Sequence, residues 1–223
     1  MTNSVIGIIP ARGGSKGVVG KNKRLVGGRP LITYSIEVAL ASKCIDRVIV
    51  TSDDEEILSI AGEYDVDLVR RPSPISSDTS PVFDAVAHAF SQLKIDEFQA
   101  LIVLQPTSPL RTAHDVDEAF AKFTRLNRPV CSVYRVDDAH PARMYEGDGE
   151  MLRPLFPELA SVRRQDLPPI YHRNGALYIV GPAQFACGEI ISNNMAGYEM
   201  PADRSVNLDS PMDLVLLEHL LSA

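Results

Sequence analysis

The chain has 223 residues, 45% of them hydrophobic, and a formal net charge of −7. That length supplies one good core, and the acidic balance argues against a general nucleic-acid binder, which would lean basic. The longest apolar runs, at residues 5–10 and 100–104, are far too short to span a bilayer.

No charged segment followed by a long apolar stretch opens the sequence, so no secretory signal is visible. Cys44, Cys131 and Cys187 are odd in number and widely spaced, which fits neither a disulfide framework nor a zinc site. The expected setting is a reducing cytoplasm, with neither membrane nor nucleic acid as partner.

Residues 5–10, Val-Ile-Gly-Ile-Ile-Pro, read as a buried central strand that is apolar on both faces and ended by Pro10. Residues 11–23 make a glycine-rich loop. Helical spacing covers 30–42, with Pro30 suited to a first helical position and Leu31, Tyr34, Ile36, Val38 and Leu40 offered as a core face. A second buried strand follows at 47–51. Ser52-Asp53-Asp54-Glu55 opens the next helix, with acids where the helix dipole favours them. Residues 67–70 form a third strand, 72–81 a loop and 82–93 a helix. Another buried strand at 100–104, a helix at 112–126 and a strand at 129–134 continue the alternation. Strands rich in β-branched residues alternating with helices are the pattern of a parallel sheet covered by helices.

The rhythm breaks after Tyr134. Residues 143–170 mix polarities around Gly147, Gly149 and several prolines, and read as an irregular or hairpin excursion. Residues 176–180 restore a strand. Ser210, with Asp213 three residues on, caps a last helix whose buried face is expected from Leu214, Val215, Leu216, Leu220 and Leu221. The expected organisation is one domain over 1–223, with 143–170 as its appendage.

Arg12, Lys16, Lys21, Lys23 and Arg24 gather in the loop that leaves the first strand, among Gly13, Gly14, Gly17 and Gly20. Ligands of open α/β sheets bind outside the carboxyl ends of the strands. Glycines let backbone N–H groups approach phosphate oxygens, and the cations compensate the charge. A solvated charged loop is the plain alternative, but it needs no glycines placed among its cations. The loop is not a Walker A motif, because Ser15 stands at the first glycine position and Asn22 at the Ser/Thr position; no Gly-x-Gly-x-x-Gly fingerprint fits either.

Residues 9–17 (Ile-Pro-Ala-Arg-Gly-Gly-Ser-Lys-Gly) with Lys21-Asn22, residues 104–111 (Leu-Gln-Pro-Thr-Ser-Pro-Leu-Arg), residues 164–168 with 174–178, and the segment 206–213 resemble the signature blocks of the cytidylyltransferases that make CMP-sialic acids, CMP-legionaminic acid synthetases included. The resemblance covers essentially the whole chain. It implies an α/β, Rossmann-like nucleotide-diphospho-sugar transferase fold with a mostly parallel sheet, a homodimer built on the 143–170 excursion, CTP and a nine-carbon keto-sugar acid as substrates, and Mg2+.

By the same resemblance, Arg12 and Lys21 hold the triphosphate and Asn22 fixes their loop, with Ala11, Gly13, Gly14, Ser15 and Lys16 around the nucleotide. Arg71 reaches the base or ribose edge. Gln105, Arg164, Asn174 and Tyr178 line the sugar pocket, and Arg143 adds a second cation from the excursion, reaching across the dimer. Asp209, with Asn207, stands where the family carries Asp-x-Asp for its metal.

Plain alternatives stand beside some of these roles. Tyr178 sits in an apolar strand and also reads as core, and Arg111 also reads as a helix-start cap or as a partner of Asp115 or Asp117. Asn207 in place of an acid weakens a two-carboxylate metal site. Other functions stay open at this level: the same chemistry on a shorter octulosonic acid, a catalytically lapsed nucleotide-binding homologue, and a glycosyltransferase of related fold, which would carry metal-binding acids where this chain has Gln105-Pro106.

Overall fold

The computed structural model describes residues 4–15 and 17–222. Its strands are β1 (Val5–Pro10), β2 (Leu25–Val26), β3 (Arg29–Pro30), β4 (Arg47–Ser52), β5 (Asp67–Arg70), β6 (Ala100–Leu104), β7 (Val130–Arg135), β8 (Tyr145–Gly147), β9 (Leu152–Pro154), β10 (Tyr171–Val180) and β11 (Ala196–Glu199). The α-helices are α1 (Leu31–Ala41), α2 (Glu55–Ala61), α3 (Val82–Leu93), α4 (Ala113–Leu126), α5 (Pro182–Ala186) and α6 (Pro211–Ser222).

Seven strands form one sheet in the order β11-β7-β10-β6-β1-β4-β5, and all run parallel except β10. Alternation along β1 explains the layers. Val5 and Ile9 face one apolar cluster with Ile32 and Ile36 of α1, Ile57 of α2 and Val116 of α4. Ile6 and Ile8 face the other, with Val86 and Phe90 of α3 and Phe185 of α5. The sheet is thus covered on both faces, as its continuous apolar strands require.

Local chemistry sets the helix starts. Asp54 caps α2 by accepting from the Glu56 and Ile57 backbone N–H groups, and Thr112 with Asp115 forms a capping box at α4. Ser210 and Asp213 do the same work at α6, where the Asp213 carboxylate accepts from the Ser210 backbone N–H at 2.7 Å.

Several boundaries depart from the sequence expectation. The 143–170 excursion contains the two-stranded β8–β9 ribbon, and β10 begins at Tyr171, earlier than 176. The short β2–β3 ribbon, α5 and β11 carried no periodicity strong enough to read. Leu40, Val215 and Leu216 are exposed, not buried. Residues 214–216 advance about 100° each around a helix and cannot share one face. Leu217 is the residue of α6 that is fully buried, packing with Val18, Val26, Leu31 and Leu208, while Leu214 and Leu221 flank it.

A buried polar knot ties α4 to the β11 side. The Asp115 carboxylate is 1% exposed and accepts hydrogen bonds from Nη1 and Nη2 of Arg204 and from the Tyr198 hydroxyl at 3.1 Å. Burial alone would raise the Asp115 pKa, but hydrogen bonds from Arg204 and Thr112 outweigh it and hold the value below its ordinary 3.8. A depressed carboxylate stabilises the fold above its ordinary pKa and loses that contribution as pH falls through the folded value. Arg204→Ala leaves Asp115 buried without its cation. It should cost about 2–3 kcal/mol near neutrality, less than a fully buried pair because Arg204 is partly exposed. The cost should shrink once the pH drops well below Asp115's ordinary 3.8. Urea denaturation followed by circular dichroism at pH 7 and pH 3 checks this; an equal cost at both would show that the ion pair is not its source.

Candidate functional site

The strand order makes the site. The chain runs outward from β1 to β4 and β5, then returns to β6 on the other side of β1. Such a switch point opens a crevice beyond the carboxyl ends of the strands. Pro10 at the end of β1, Arg71 after β5 and Gln105 after β6 line one cleft of about 280 Å3. Arg12, Ser15, Lys21, Asn22, Asn207 and Asp209 line it too.

The glycine-rich loop is pinned over this cleft from several sides. The Ala11 N–H donates to the Thr51 carbonyl at 2.9 Å, and the Gly13 N–H to the Asp53 carboxylate at 3.0 Å. A Cβ on Gly13 would stand 2.7 Å from the Asp54 Cβ, and one on Gly17 would collide with the Asp209 carbonyl oxygen. Both positions therefore need glycine for close approach. Val18 anchors the middle of the loop in the apolar cluster under α6. Ser15 Oγ donates to the Val18 carbonyl and accepts from the Lys21 N–H at 3.3 Å. Asn22 Nδ2 donates to the Arg12 carbonyl at 2.8 Å, while its buried Oδ1 has no partner among the described residues. Gly14 meets nothing within 4 Å of its Cβ position. Lys16 lies outside the described residues.

Each cation in the cleft has a carboxylate beside it. Arg12 pairs with Asp78 at 2.7 Å, Lys21 with Asp209 at 2.9 Å, and the buried Arg71 lies 3.6 Å from Asp53. Burial pulls the Arg71 pKa down, and Asp53 partly restores it. Its Nε and Nη2 make no hydrogen bond, so buried donors stand on the cleft wall.

Gln105 faces the cleft beside Gly175, whose φ of +74° and closeness to Gln105 Oε1, 2.9 Å from its Cβ position, exclude a side chain. Asn207 is bound on both ends of its amide. Its Oδ1 accepts from Ser108 Oγ at 2.6 Å, and its Nδ2 donates to the Asn174 carbonyl at 2.5 Å. A carbonyl only accepts, so the –NH2 end must face Asn174. The Asp209 side chain, paired with Lys21, is 71% exposed.

Four expected sugar contacts lie elsewhere. Asn174 is buried, with Nδ2 donating to Ser205 Oγ at 2.9 Å and Oδ1 accepting from the Ala176 N–H at 3.2 Å. Tyr178 is 4% exposed among Ile6, Ile8 and Val103 on the α3 face. This departs from its expected place in the pocket: the register that puts Leu177 on one face of β10 puts Tyr178 on the other, in the core. Arg143 and Arg164 line a second cleft of about 290 Å3, with Arg135 and His140. Arg164 Nε donates there to the Asp137 carbonyl at 2.9 Å.

The loop from Ile75 to Val82 forms much of the main cleft wall through Ser76, Ser77, Asp78 and Ser80, and only Arg71 in front of it was expected there. Its signal was available in principle, because a polar run leaving the carboxyl end of a parallel strand is a site position.

A family model for cytidylyltransferases matches residues 6–207. The chain belongs to the cytidylyltransferase family. Among its curated relatives, an N-acylneuraminate cytidylyltransferase of Escherichia coli O18:K1:H7 is 31% identical over 97% of this chain and 52% of that protein. A CMP-N,N'-diacetyllegionaminic acid synthase of Legionella pneumophila is 31% identical over 97% of this chain and 96% of that one. The chain thus spans about half the length of the first and nearly all of the second. In fold, this family member resembles a CMP:2-keto-3-deoxy-manno-octonic acid synthetase complexed with CTP, with a TM-score of 0.73, 16% identity and 98% of each chain covered. A 4-diphosphocytidyl-2C-methyl-D-erythritol synthase from Anaerococcus prevotii gives 0.68 at 13% identity, covering 99% of this chain and 96% of that one. No helix among the described residues is long and apolar enough to cross a membrane.

The Asn207 contacts generate a prediction. Asn207→Asp places a carboxylate oxygen against the Asn174 carbonyl, two acceptors with no proton between them. The variant should lose about 1–3 kcal/mol of stability rather than gain affinity for a metal. Thermal unfolding with and without magnesium decides it: a variant as stable as the parent, with tighter metal binding, would overturn this account.

Proposed function

We propose that this chain joins CTP to a nine-carbon keto-sugar acid of the N-acylneuraminate or legionaminate type, giving the CMP-sugar and pyrophosphate. The observation that carries the reading is the convergence of Arg12, Lys21, Asn22 and Arg71 on one cleft at the switch point of a cytidylyltransferase-family sheet. The names of the two relatives at 31% identity supply the substrate class. The intact cation set disfavours a lapsed homologue.

In this reading the anomeric hydroxyl attacks the α-phosphorus of CTP in line. The bond to the β-phosphate oxygen breaks, pyrophosphate leaves and the hydroxyl proton passes to solvent. Arg12 and Lys21 exchange Asp78 and Asp209 for phosphate oxygens, and their charge meets the charge growing on the leaving group. Arg71 offers Nε and Nη2, which make no hydrogen bond among the described residues, to the base or ribose edge, where carbonyl and hydroxyl oxygens accept. Positioning and electrostatics do most of the work, as in phosphoryl transfer generally. The exposed Asp209 carboxylate is the group that would hold magnesium, which would supply charge neutralisation on the pyrophosphate. Gln105 meets the sugar.

The whole chain acts as one cytidylyltransferase domain, with 143–170 as a dimer-forming appendage. Tyr145, Met151, Leu152 and Phe156 expose apolar side chains there, and a second copy of the same ribbon is the self-complementary surface that would cover them. Arg143 and Arg164 would then serve the sugar carboxylate from the neighbouring copy. The free thiols of Cys44, Cys131 and Cys187 are in keeping with a reducing cytoplasm.

Pyrophosphate release should be strong with CTP and weak with ATP, GTP and UTP when a panel of keto-sugar acids is offered; equal release from all four nucleotides would sink the reading. Arg12→Ala and Lys21→Ala should each lower kcat/KM by on the order of 2–4 kcal/mol, roughly 30- to 700-fold, with the fold intact by circular dichroism. Activity within a few-fold of the parent in both would remove the phosphate role. Light scattering at micromolar concentration should give a dimer, and Met151→Glu with Leu152→Glu a monomer; a monomeric parent rules the interface out.

A further inference from the structure

Arg111 closes the block at residues 104–111 and is 2% exposed. Neither nearby acid takes it. Asp115 is held by Arg204, and Asp117 closes the end of α1 by accepting from Ser42 Oγ at 2.7 Å and from the Lys43 N–H at 2.9 Å. The guanidinium turns to neutral acceptors on three elements. Nη1 donates to the carbonyl of Gln105, at 3.3 Å, and to that of Ala176; Nη2 donates to Ser35 Oγ on α1 at 2.7 Å. Ser35 Oγ in turn donates to the Gln105 carbonyl at 3.3 Å.

These acceptors mark the place where the sheet opens. The pairing of β6 with β10 ends at Leu104 and Leu177, and the pairing of β10 with β7 shifts register between Arg173 and Tyr178. Gln105 and Gly175 stand just beyond the last pair, and the Gln105 amide lies against Gly175, its Oε1 2.9 Å from the Gly175 Cβ position. Arg111 supplies the hydrogen bonds that the ladder no longer makes there. Burying a cation whose hydrogen bonds all go to neutral acceptors is costly, with the Asp115 charge offsetting only part of the burial penalty, and an apolar side chain would fill the space without that penalty if packing were all that was needed. The planar fork of arginine reaches acceptors on three elements at once, which lysine cannot.

We infer that Arg111 is a positioning residue for the acceptor subsite, tying the strand ends at Gln105 and Ala176 together so that the Gln105 amide, lying against Gly175, presents itself to the polar groups of the sugar acid. The inference rests on the cytidylyltransferase reading above. It separates Arg111 from the nucleotide half of the cleft, whose contacts come from the loop after β1 and from Arg71.

The test uses the full chain with Arg111→Lys, Arg111→Met and Ser35→Ala. Acceptor KM, CTP Kd by calorimetry, and hydrogen exchange of peptides covering 101–108, 174–180, 47–52 and 67–70 are measured on each. Arg111→Lys should raise the acceptor KM about tenfold or more while CTP Kd stays within about twofold, an interaction loss on the order of one hydrogen bond to a charged group. Exchange should rise in 101–108 and 174–180 and stay unchanged in 47–52 and 67–70. Ser35→Ala should move the same quantities less, and it carries the test if the Arg111 variants do not fold. Acceptor KM and CTP Kd rising together, or neither moving, overturns the proposal. If the parent releases no pyrophosphate with CTP and any keto acid, the functional reading falls by itself. Exchange then decides Arg111: loosening confined to the two strand ends upholds its hold on them, and unchanged or uniformly raised exchange overturns it.

Discussion

The structure depends on a pairing of charges at the carboxyl edge of the sheet. Arg12, Lys21, Lys23 and Arg71 stand on the first loop or just after β5, and they are matched by Asp78, by Asp209, by Asp54 with Glu56, and by Asp53. Lone cations gathered this closely would repel one another and pay for desolvation. Paired, they can be held in place before a polyanion arrives. In the proposed reading, binding becomes an exchange of carboxylates for phosphates, which would let a chain of net charge −7 present an anion site without a basic surface.

The exchange works only if the backbone stays put while the side chains turn. Gly13 lies against Asp54 and Gly17 against the Asp209 carbonyl, contacts that any side chain would break. Val18 is sunk among Leu208 and Leu217, so the loop after β1 and the segment carrying Asp209 share one apolar anchor. The last helix thus contributes to the site from behind, through Leu217.

Neutral hydrogen bonds hold the opposite wall. Asn207 bridges Ser108 and the Asn174 carbonyl, Leu208 donates to the Thr107 carbonyl at 2.9 Å, and Arg111 gathers Gln105 and Ala176. An amide at 207 suits this bridge because one end must donate and the other accept, a condition that a carboxylate fails. Asn207 therefore has a structural reason in this chain's own contacts.

The strands at 5–10, 67–70 and 100–104 and the helix at 82–93 were legible to the residue, because apolar runs of β-branched residues and helical spacing are local signals. The loop cations and glycines stood out as residue types, and the structure brings Arg12 and Lys21 to one cleft. What the sequence left open was set by distance in space. The direction of β10, the burial of Tyr178 on the face opposite Leu177, and the position of Arg143 and Arg164 in a second cleft follow from register and topology. The partners of Arg111 and Asn207 also lie far away in the chain, 65 residues to Ala176 and 99 to Ser108. Local sequence determines which elements form and which chemistry they carry; only the packed sheet decides which side chains meet, because a one-residue change of register turns a strand's side chains to the other face.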